Sequence, residues 1–295
     1  MSETRIALMT DRGIVRVYGP DARKLLQGLI TNDIGRLDRQ PALHAALLTP
    51  QGKILFDFFV VRSANGYLLE TAKAKSAELA QRLNMYKLRA DAKIEDASAD
   101  YTVATFWGGA APAREPTAFA DPRLAALGHR ALVSMDDDWL LGGRGATAAS
   151  ADDYHAHRIG LGVPEGGKDY AFGDTFPHEA LLDVLNGIAF DKGCYVGQEV
   201  VARMHHRGLA RRRIVPVKGD HDLPATGTEV LAGEIAIGRL GSVSGSLGLA
   251  LVRLDRAAEA LQKGDPITAG GVAITLAKPE WATFDVPVAK ASAKP

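Results

Sequence analysis

The only cysteine of this 295-residue chain lies in the segment KGCYVGQE, residues 192–199. Glycines bracket Cys194, Lys192 precedes it by two residues, and a helical pattern begins at Gln198. A nearby cation and a helix N-terminus both stabilise a thiolate. The segment therefore predicts an accessible thiol that acts as a nucleophile or as a metal ligand. The alternative is a small buried thiol beside a tight turn, because free cysteines are often buried.

The residues after Gln198 have the spacing of a short helix. Apolar side chains recur on one face, at Val200, Val201 and Met204. Glu199 and Arg203 stand four positions apart, in the order that favours an ion pair on a helix. Gly208 predicts the end of the helix, which is then about ten residues long. Cys194 lies on the loop before it.

Two carboxylates outside this segment could carry chemistry. Asp57 is a charge within the apolar run Lys53–Arg62. A buried carboxylate is costly unless it is paired, so such groups often mark sites; the alternative is a strand-end aspartate that faces water. Glu179 follows Pro177 and is either a site residue or an acid in the first turn of a helix, where the helix dipole favours it.

Four further residues are weaker candidates. Asn32 and Asp33 follow a predicted helix, where they can form a helix-ending turn. Tyr86 and Met85 could stack on a flat ligand. An aromatic residue in a helical stripe is, however, more often part of the core.

The elements that must position these residues form a mixed pattern. Apolar runs and alternation predict strands at Arg5–Met9, Gly13–Tyr18, Leu43–Thr49, Lys53–Arg62, Gly66–Thr71, Ala92–Asp96 and Tyr101–Trp107. Helical spacing predicts helices at Asp21–Ile30 and Lys75–Leu88, and a third that ends near Gly160. Residues 108–118 and 142–151 are rich in small residues and predict a loop and a linker.

The C-terminal third has a different character. Short strands separated by glycines are predicted at Ile214–Val217, Glu229–Leu231, Ile235–Leu240, Leu247–Leu254 and Val272–Leu276. Such a series is typical of a small barrel. We therefore expect an α+β body at 1–209, a β-barrel domain at 210–286 and a disordered Ala/Lys/Pro-rich tail at 287–295. No internal repeat is evident.

Composition narrows the class of protein. The chain is 46% hydrophobic and 24% charged with a formal net charge of zero, which is ordinary for a globular protein and gives no global attraction to nucleic acid or anionic membranes. No apolar run approaches the ~20 residues that span a bilayer. The first ten residues lack the character of a signal or transit peptide. A single cysteine excludes an intrachain disulfide framework and suits a reducing compartment. Together these features predict a cytoplasmic protein.

The extended segment KGCYVGQEVVAR, residues 192–203, resembles the signature of the YgfZ family. These are folate-binding proteins related to the T-protein, the aminomethyltransferase of the glycine cleavage system. The flanking segments HRIGLGVPEG at 157–166, FPHE at 176–179 and LNGIAF at 185–190 follow in the expected order. ARMHHRG at 202–208 looks most like the mitochondrial iron–sulfur assembly branch. The resemblance implies a body of two intertwined ferredoxin-like units and a C-terminal barrel, in a ring around a central folate channel.

The same resemblance implies roles for individual residues. Cys194 is central, with Lys192 and the following helix tuning it, and Asp57 takes the place of a catalytic aspartate near the reactive nitrogens of folate. The residues that support the loop are Gly193, Tyr195, Gly197, Gln198, Glu199 and Arg203. The folate-binding set is Asn32, Asp33, Asp57, Tyr86 and Glu179.

One position departs from the T-protein pattern. The T-protein has a glutamate that grips the pterin ring in the segment Arg-x-Glu-Ala-Gly, whereas this chain has Gly160 there, two residues after Arg158. Without that carboxylate, two-point hydrogen bonding to the donor edge of a pterin is lost. This argues against aminomethyltransferase chemistry and weakens the expected folate site.

Basic and histidine residues after the signature allow several interpretations. The arginines are Arg203, Arg207, Arg211, Arg212 and Arg213. They can form a solvated rim, a set of ion pairs or a landing site for the glutamate tail of folate; without interleaved aromatic residues, binding of single-stranded nucleic acid is disfavoured. His205 and His206 diverge by about 100 degrees on a helix, so they do not readily share one metal ion.

The cysteine count limits the mechanism. An iron–sulfur cluster is normally held by four cysteines, so one Cys194 can supply only one ligand at an interface or act through thiol chemistry. Together with the resemblance, this limit implies an accessory factor, and not a classical enzyme, in the assembly or repair of 4Fe–4S clusters. We expect tetrahydrofolate or a derivative as cofactor, a transient cluster at most, and assembly proteins and 4Fe–4S client enzymes as partners.

Two alternatives from other functional classes remain. One is a tetrahydrofolate-dependent aminomethyl- or methyltransferase that uses Asp57; Gly160 argues against it. The other is an RNA-associated protein that uses the arginines; the zero net charge argues against it.

Overall fold

The computed structural model describes residues 3–109, 118–135, 146–208 and 210–288. The predicted loop at 108–118 and the predicted tail at 287–295 fall mostly outside these residues. The described helices are α1 Ala22–Leu29, α2 Lys73–Lys87, α3 Ala151–Gly160, α4 Gln198–Arg207 and α5 Leu254–Lys263.

Strands contain more of the described residues than helices do. Those of the first half are β1 Arg5–Leu8, β2 Arg12–Tyr18, β3 Ala42–Leu48, β4 Ile54–Ser63, β5 Gly66–Ala72, β6 Lys93–Asp96, β7 Tyr101–Trp107, β8 Ala118–Ala120, β9 His129–Ser134 and β10 Thr147–Ala148. Those of the second half are β11 Arg212–Gly219, β12 Glu229–Ala232, β13 Ile235–Ser244, β14 Leu247–Arg253, β15 Ile267–Ala269 and β16 Val272–Leu276.

The chain divides into two compact units whose segments alternate along the sequence. The first unit comprises Met1–Tyr154, Phe172–Asp174 and Leu185–Ala202. The second comprises His155–Ala171, Thr175–Val184 and Arg203–Pro295. The second unit therefore contains two segments that precede the predicted boundary at 209/210. A separate domain at 210–286 stays a prediction.

The first unit contains two five-stranded sheets. One has the order β3-β4-β5-β2-β6, and the other has the order β10-β1-β7-β9-β8. Helices α1 and α2 cover one face of the first sheet through an apolar cluster that includes Leu26, Leu79 and Phe58. On the other face, Phe59 and Leu68 pack with Trp107 and Leu132 of the second sheet. The first sheet is thus covered on both sides, which explains why β3 and β4 are almost continuously apolar.

The second unit contains a closed barrel in the order β11-β14-β13-β12-β15-β16. Its interior is apolar, with Val217, Val230 and Val252 fully buried, and α5 adds Ala257 and Ala260 to the same cluster. The barrel prediction is confirmed. The three-residue strand β15 and helix α5 were not predicted, because a run of three residues shows no alternation and α5 follows β14 without a break.

The predicted helices and the strand predicted at 53–62 agree with the structure, in which β4 pairs with β3 and β5 on its two sides. The linker predicted at 142–151 contains the short strand β10, which pairs with β1 in parallel. Within the described residues, no helix is both long and apolar enough to span a bilayer.

Candidate functional site

The loop that carries Cys194, residues 187–197, contains both exposed and buried side chains. Cys194 is exposed, and Phe190 is 42% exposed. Lys192 and Tyr195, on either side of the thiol, are buried, with 8% and 9% of their surface exposed. The alternative of a small buried thiol is therefore wrong, and the thiol is accessible as the sequence predicts.

Lys192 is anchored to the C-terminal end of α1. Its Nζ donates to the carbonyl oxygens of Gln27 at 2.8 Å, Ile30 at 2.6 Å and Asn32 at 3.0 Å. An ammonium has three hydrogens, so these bonds use all of them. A cation here is also favourable because the last carbonyls of a helix carry partial negative charge.

These contacts change the expected role of Lys192. The sequence suggests that its charge tunes the thiol of Cys194, but an N–H bond to a thiolate would require one of the three carbonyl bonds to break. Burial lowers the pKa of Lys192 to about 8, although Asp33 opposes that shift. The lysine therefore holds the loop in place; its effect on the thiol stays a prediction.

Tyr195 and Gln198 fix the other end of the loop. The ring centre of Tyr195 lies 5.0 Å from Nζ of Lys192, close enough for a cation–π interaction. The backbone N–H of Tyr195 donates to Oε1 of Gln198 at 3.2 Å. The backbone N–H of Gln198 donates back to the carbonyl oxygen of Tyr195 at 3.3 Å. This reciprocal pair resembles a capping box and sets the entry to α4. Burial raises the pKa of Tyr195 to about 12.

The two glycines that bracket Cys194 differ. Gly197 has φ +81°, and a Cβ there would meet the carbonyl oxygen of Thr49 at 2.6 Å. Glycine is required at this position because of the backbone conformation and because of the contact with the turn between β3 and β4. A Cβ at Gly193 would meet nothing within 4 Å. The loop is therefore packed at Gly197 and open at Gly193, next to the thiol.

Helix α4 confirms the predicted helix. It spans Gln198–Arg207, and Gly208 follows it with φ +59°. The ion pair between Glu199 and Arg203 stays a prediction.

Part of the basic cluster forms ion pairs within the second unit. Arg212 Nε donates to Oε1 of Glu179 at 2.7 Å, and Arg213 donates to both carboxylate oxygens of Asp183 at 3.0 and 2.8 Å. The other oxygen of Glu179 accepts the N–H of Phe176 at 2.9 Å. Both oxygens of Glu179 thus have protein partners, which favours a structural role; its folate role stays a prediction.

Asp57 lies inside the first unit. It is 7% exposed, so the alternative of a water-facing aspartate is wrong. In the β3–β4 register, Ala46 pairs with Asp57 and His44 pairs with Phe59. Residues opposite one another or two apart in a sheet share a face, so Asp57 and His44 lie on the face that meets the second sheet.

A layer of charged side chains lies between the two sheets. We call it the intersheet layer; its charged members are Arg12, Asp57, Glu70, Asp121, Arg123 and Arg130, and all are buried. Glu70 accepts from Arg12 at 2.9 Å and from Arg130 at 3.0 Å. Asp121 accepts from Arg123 at 3.0 and 2.8 Å. Three cations and three anions cancel, as a buried set must for its desolvation cost to be offset.

A cavity of about 290 Å³ opens beside this layer. Asn32, His44 and Asp121 form its buried floor, and Arg36 and Asn186 belong to its more exposed rim. The cavity thus joins one of the predicted folate residues to a histidine that the sequence did not single out.

Asn32 and Asp33 are brought together with Lys192. Asn32 Nδ2 donates to the carbonyls of His44 and Asn186, each at 2.7 Å. Asp33 accepts the N–H of Gly35 at 2.8 Å and so caps a 3-10 helix at Ile34–Asp38. The turn interpretation therefore describes Asp33, whereas Asn32 also reaches the cavity.

Tyr86 and the segment around Gly160 have other surroundings. Tyr86 packs against the apolar cluster under α2, which agrees with the core interpretation.

In the second unit, Arg158 is fully buried and donates to Asp169 at 2.6 Å and to Ser242 at 2.6 Å. Gly160 ends α3, and a Cβ there would meet nothing within 4 Å. The position of the absent glutamate is therefore open.

The fold is that of the aminomethyltransferase class. The crystal structure of glycine cleavage system aminomethyltransferase T from Bartonella henselae superposes with a TM-score of 0.76, covers 95% of this chain and 87% of that protein, and is 15% identical in sequence. The model of the GCVT N-terminal domain matches residues 6–116. The model of the CAF17 C-terminal β-barrel domain matches residues 211–284.

Sequence relatives define the family. The mitochondrial iron–sulfur cluster assembly factor IBA57 of Mus musculus is 35% identical over 272 residues, 82% of this chain and 75% of that protein. Its Homo sapiens counterpart is 33% identical over 274 residues, with the same coverage. The Mycosarcoma maydis homologue is 37% identical over 235 residues, 73% of this chain and 57% of that protein, so the chain spans little more than half of that relative. This chain belongs to the IBA57 family of YgfZ/CAF17-type proteins, which confirms the resemblance.

The prediction of a cytoplasmic protein is wrong. The relatives from Mycosarcoma maydis, Mus musculus and Homo sapiens are all named mitochondrial, which points to the mitochondrion. The cysteine count was a weak guide, because it excludes an intrachain disulfide framework without telling one reducing compartment from another.

Proposed function

We propose that this chain is an accessory factor in the assembly or repair of iron–sulfur clusters and that it acts through the thiol of Cys194. The proposal is carried by one observation: the thiol is exposed on a loop whose neighbouring side chains, Lys192 and Tyr195, are buried anchors. The names of the mouse and human relatives support the biological role. An exposed thiol on an anchored loop can meet a partner without a rearrangement of the chain.

The number of cysteines limits what the chain does alone. A cluster normally needs four cysteine ligands, with histidine as an occasional substitute, and Cys194 is the only cysteine. Cys194 therefore supplies one ligand or a thiol, and a partner supplies the rest. The partners of this proposal are assembly proteins and 4Fe–4S client enzymes, and the cluster is cargo.

We propose folate as the ligand of the first unit. The T-protein-like fold supports a folate site, and the cavity beside Asn32 and His44 offers a polar floor near Asp57. Tetrahydrofolate or a derivative would bind with its ring toward this floor. Cys194, Lys192 and Asp57 are the proposed reactive set.

A transferase is the second candidate. Asp57, buried on the same face as His44, favours it because a positioned carboxylate can act as a general acid or base toward a ligand. Gly160, in the place of the pterin-gripping glutamate, argues against it. We rank it below the assembly role.

Complementation of a deletion strain tests the proposal. The strain receives wild-type, Cys194→Ala, Cys194→Ser or Asp57→Asn copies, with protein levels matched by blot. We expect wild type to restore aconitase-type 4Fe–4S activity, and both cysteine variants to fail although they fold, because neither side chain can take part in thiol exchange or supply a sulfur ligand. An enzyme without a cluster is the control for general growth effects.

Two outcomes would change the conclusion. If Cys194→Ala restores activity fully, both at rest and under oxidative stress, the thiol-centred proposal fails. If Asp57→Asn alone abolishes activity, and the purified wild-type protein forms methylenetetrahydrofolate from an aminomethyl-lipoyl carrier, the transferase replaces it.

A further inference from the structure

His44 lines the cavity, and among the described residues the protein uses one of its two ring nitrogens. Its Nδ1 lies 3.4 Å from the carbonyl oxygen of Leu185. A carbonyl can only accept, so this contact is a hydrogen bond only if Nδ1 carries the proton. Nε2 then presents a lone pair. Within the described ranges, Nε2 has no hydrogen-bond partner, and it is not among the fully sealed polar atoms.

The charge state of His44 follows from its surroundings. Burial and the positive charge of Arg123 lower the pKa of His44 to about 4, while Asp57, Asp121 and the carbonyl of Leu185 oppose the shift. The imidazole is therefore neutral at physiological pH. Its nitrogen toward the cavity acts as a hydrogen-bond acceptor and not as a donor.

The other floor groups are already engaged. Asp121 accepts three bonds from Arg123, through its N–H, Nε and Nη2, at 3.0, 3.0 and 2.8 Å. Both hydrogens of Asn32 Nδ2 go to carbonyl oxygens. A buried acceptor without a partner costs free energy, so His44 is the floor group that a ligand can satisfy.

The rim of the cavity carries a positively charged group. Arg36 lines the cavity, and its Nη2 contacts Asp191 at 2.7 Å in a pair that is 39% and 77% exposed. Exposed pairs of this kind are weak, so the guanidinium can turn to an anionic group of a ligand. The cavity is therefore complementary to a ligand that donates a hydrogen bond at the floor and carries negative charge near the rim.

The size limits what can fill the cavity. At about 290 Å³, it is near the lower limit for ligand pockets. It holds a small ring system rather than an entire extended ligand such as a folate with its glutamate tail.

We propose that His44 determines the ligand specificity of this cavity, by accepting a hydrogen bond from a ring N–H or amino group of a small heterocycle whose anionic substituent extends toward Arg36. This inference rests on the folate part of the proposed function and narrows it to the pteridine ring. It assigns recognition to an acceptor on β3, independently of the open position at Gly160.

A pair of matched ligands tests the inference on the full chain. Lumazine is a pteridine with ring N–H donors, and 1,3-dimethyllumazine replaces the same hydrogens with methyl groups. We expect lumazine to bind at least roughly tenfold more tightly by fluorescence titration, since one partner of a buried hydrogen bond is lost in the methylated analogue. We also expect lumazine to shift the ¹⁵N resonance of His44 Nε2.

Two variants complete the experiment. His44→Phe keeps a ring but removes the acceptor, so its affinity for lumazine should fall roughly tenfold. His44→Gln keeps an acceptor and should retain part of the affinity for lumazine. If His44→Phe fails to fold, the ligand pair and the ¹⁵N shift of the wild-type protein still decide the question. Equal affinity for the two lumazines, an unchanged Nε2 resonance, or no binding of lumazine overturns the inference.

The inference and the folate proposal can fail separately. If tetrahydrofolate binds wild type and His44→Phe equally well, folate binding stands and the role of His44 is wrong. If lumazine binds against His44 but tetrahydrofolate does not bind, the role of His44 stands and the folate proposal fails.

Discussion

The Cys194 loop and the intersheet layer, both in the first unit, differ in the exposure of their candidate functional groups. In the loop, the proposed reactive group is exposed and its anchors, Lys192 and Tyr195, are buried. In the layer, Asp57 and His44 are themselves buried among paired charges. Under the proposed functions, the loop meets another macromolecule, and the layer excludes water from a small ligand.

This difference predicts where stability resides. Exposed groups contribute little to the free energy of unfolding, whereas a buried ion pair that loses one partner leaves an uncompensated charge. Substitutions in the layer should therefore destabilise the protein more than substitutions in the loop. Four measurements test this comparison, in order of decreasing expected effect.

The largest effect is expected for Glu70→Gln. Glu70 is fully buried and bonds both Arg12 and Arg130, so the variant removes the negative charge that the two guanidinium groups share. We expect the free energy of unfolding of the first unit to fall by about 3–5 kcal/mol, measured by denaturant titration.

The control is Arg16→Gln. Arg16 pairs with Glu95, but those side chains are 30% and 44% exposed. Arg16→Gln should lower the free energy of unfolding by no more than about 1 kcal/mol. If Glu70→Gln costs no more than this surface variant, the layer does not stabilise the unit.

The second effect is a pH dependence due to His44. Its pKa is about 4 in the folded protein against an ordinary value of 6.5. Between these values the unfolded chain binds a proton that the folded chain does not, so stability falls as the pH decreases from 6.5 to 4. The loss should total about 3 kcal/mol.

His44→Phe isolates this contribution, because it removes the titrating group but leaves Asp57, Asp121 and Arg123 in place. Denaturant titrations of both proteins at several pH values give the difference. If the two stability curves run parallel between pH 4 and 6.5, His44 does not titrate as proposed.

The sequence predicted the two regions unequally. The loop could be found because its elements are contiguous: one cysteine, bracketing glycines, and a helical repeat from Gln198. Helix α4 accordingly begins and ends where its spacing predicts. Asp57 stood out as one charge in an apolar strand.

Partners that are distant in the sequence could not be predicted. Lys192 bonds Ile30 across 162 positions, and His44 contacts Leu185 across 141 positions. His44 had one available signal, a polar residue within the apolar run of β3. A single residue of this kind does not reveal a cavity, because the floor also needs Asn32 and Asp121 from other elements.

The third effect concerns the anchor of the loop. Lys192→Met removes the donor for three carbonyl oxygens at the end of α1. Leaving buried acceptors without partners should cost roughly 1–3 kcal/mol, measured by denaturant titration. Lys24→Met, at an exposed position on the same helix, is the control and should change stability by no more than about 0.5 kcal/mol. Equal costs for both variants would mean that Lys192 does not anchor the loop.

The smallest effect concerns the two glycines that bracket Cys194. Gly197→Ala forces a side chain into the left-handed region and against the carbonyl of Thr49, so it should cost about 1–3 kcal/mol. Gly193→Ala adds a methyl group to open space at a backbone without positive φ, and should cost no more than about 0.5 kcal/mol. Thermal unfolding of both variants measures the contrast. Iodoacetamide should modify Cys194 in folded Gly193→Ala at close to the wild-type rate, since the loop stays in place. A Gly193→Ala variant as unstable as Gly197→Ala would show that the loop is packed next to the thiol, and the contrast between an open loop and a closed layer would no longer hold.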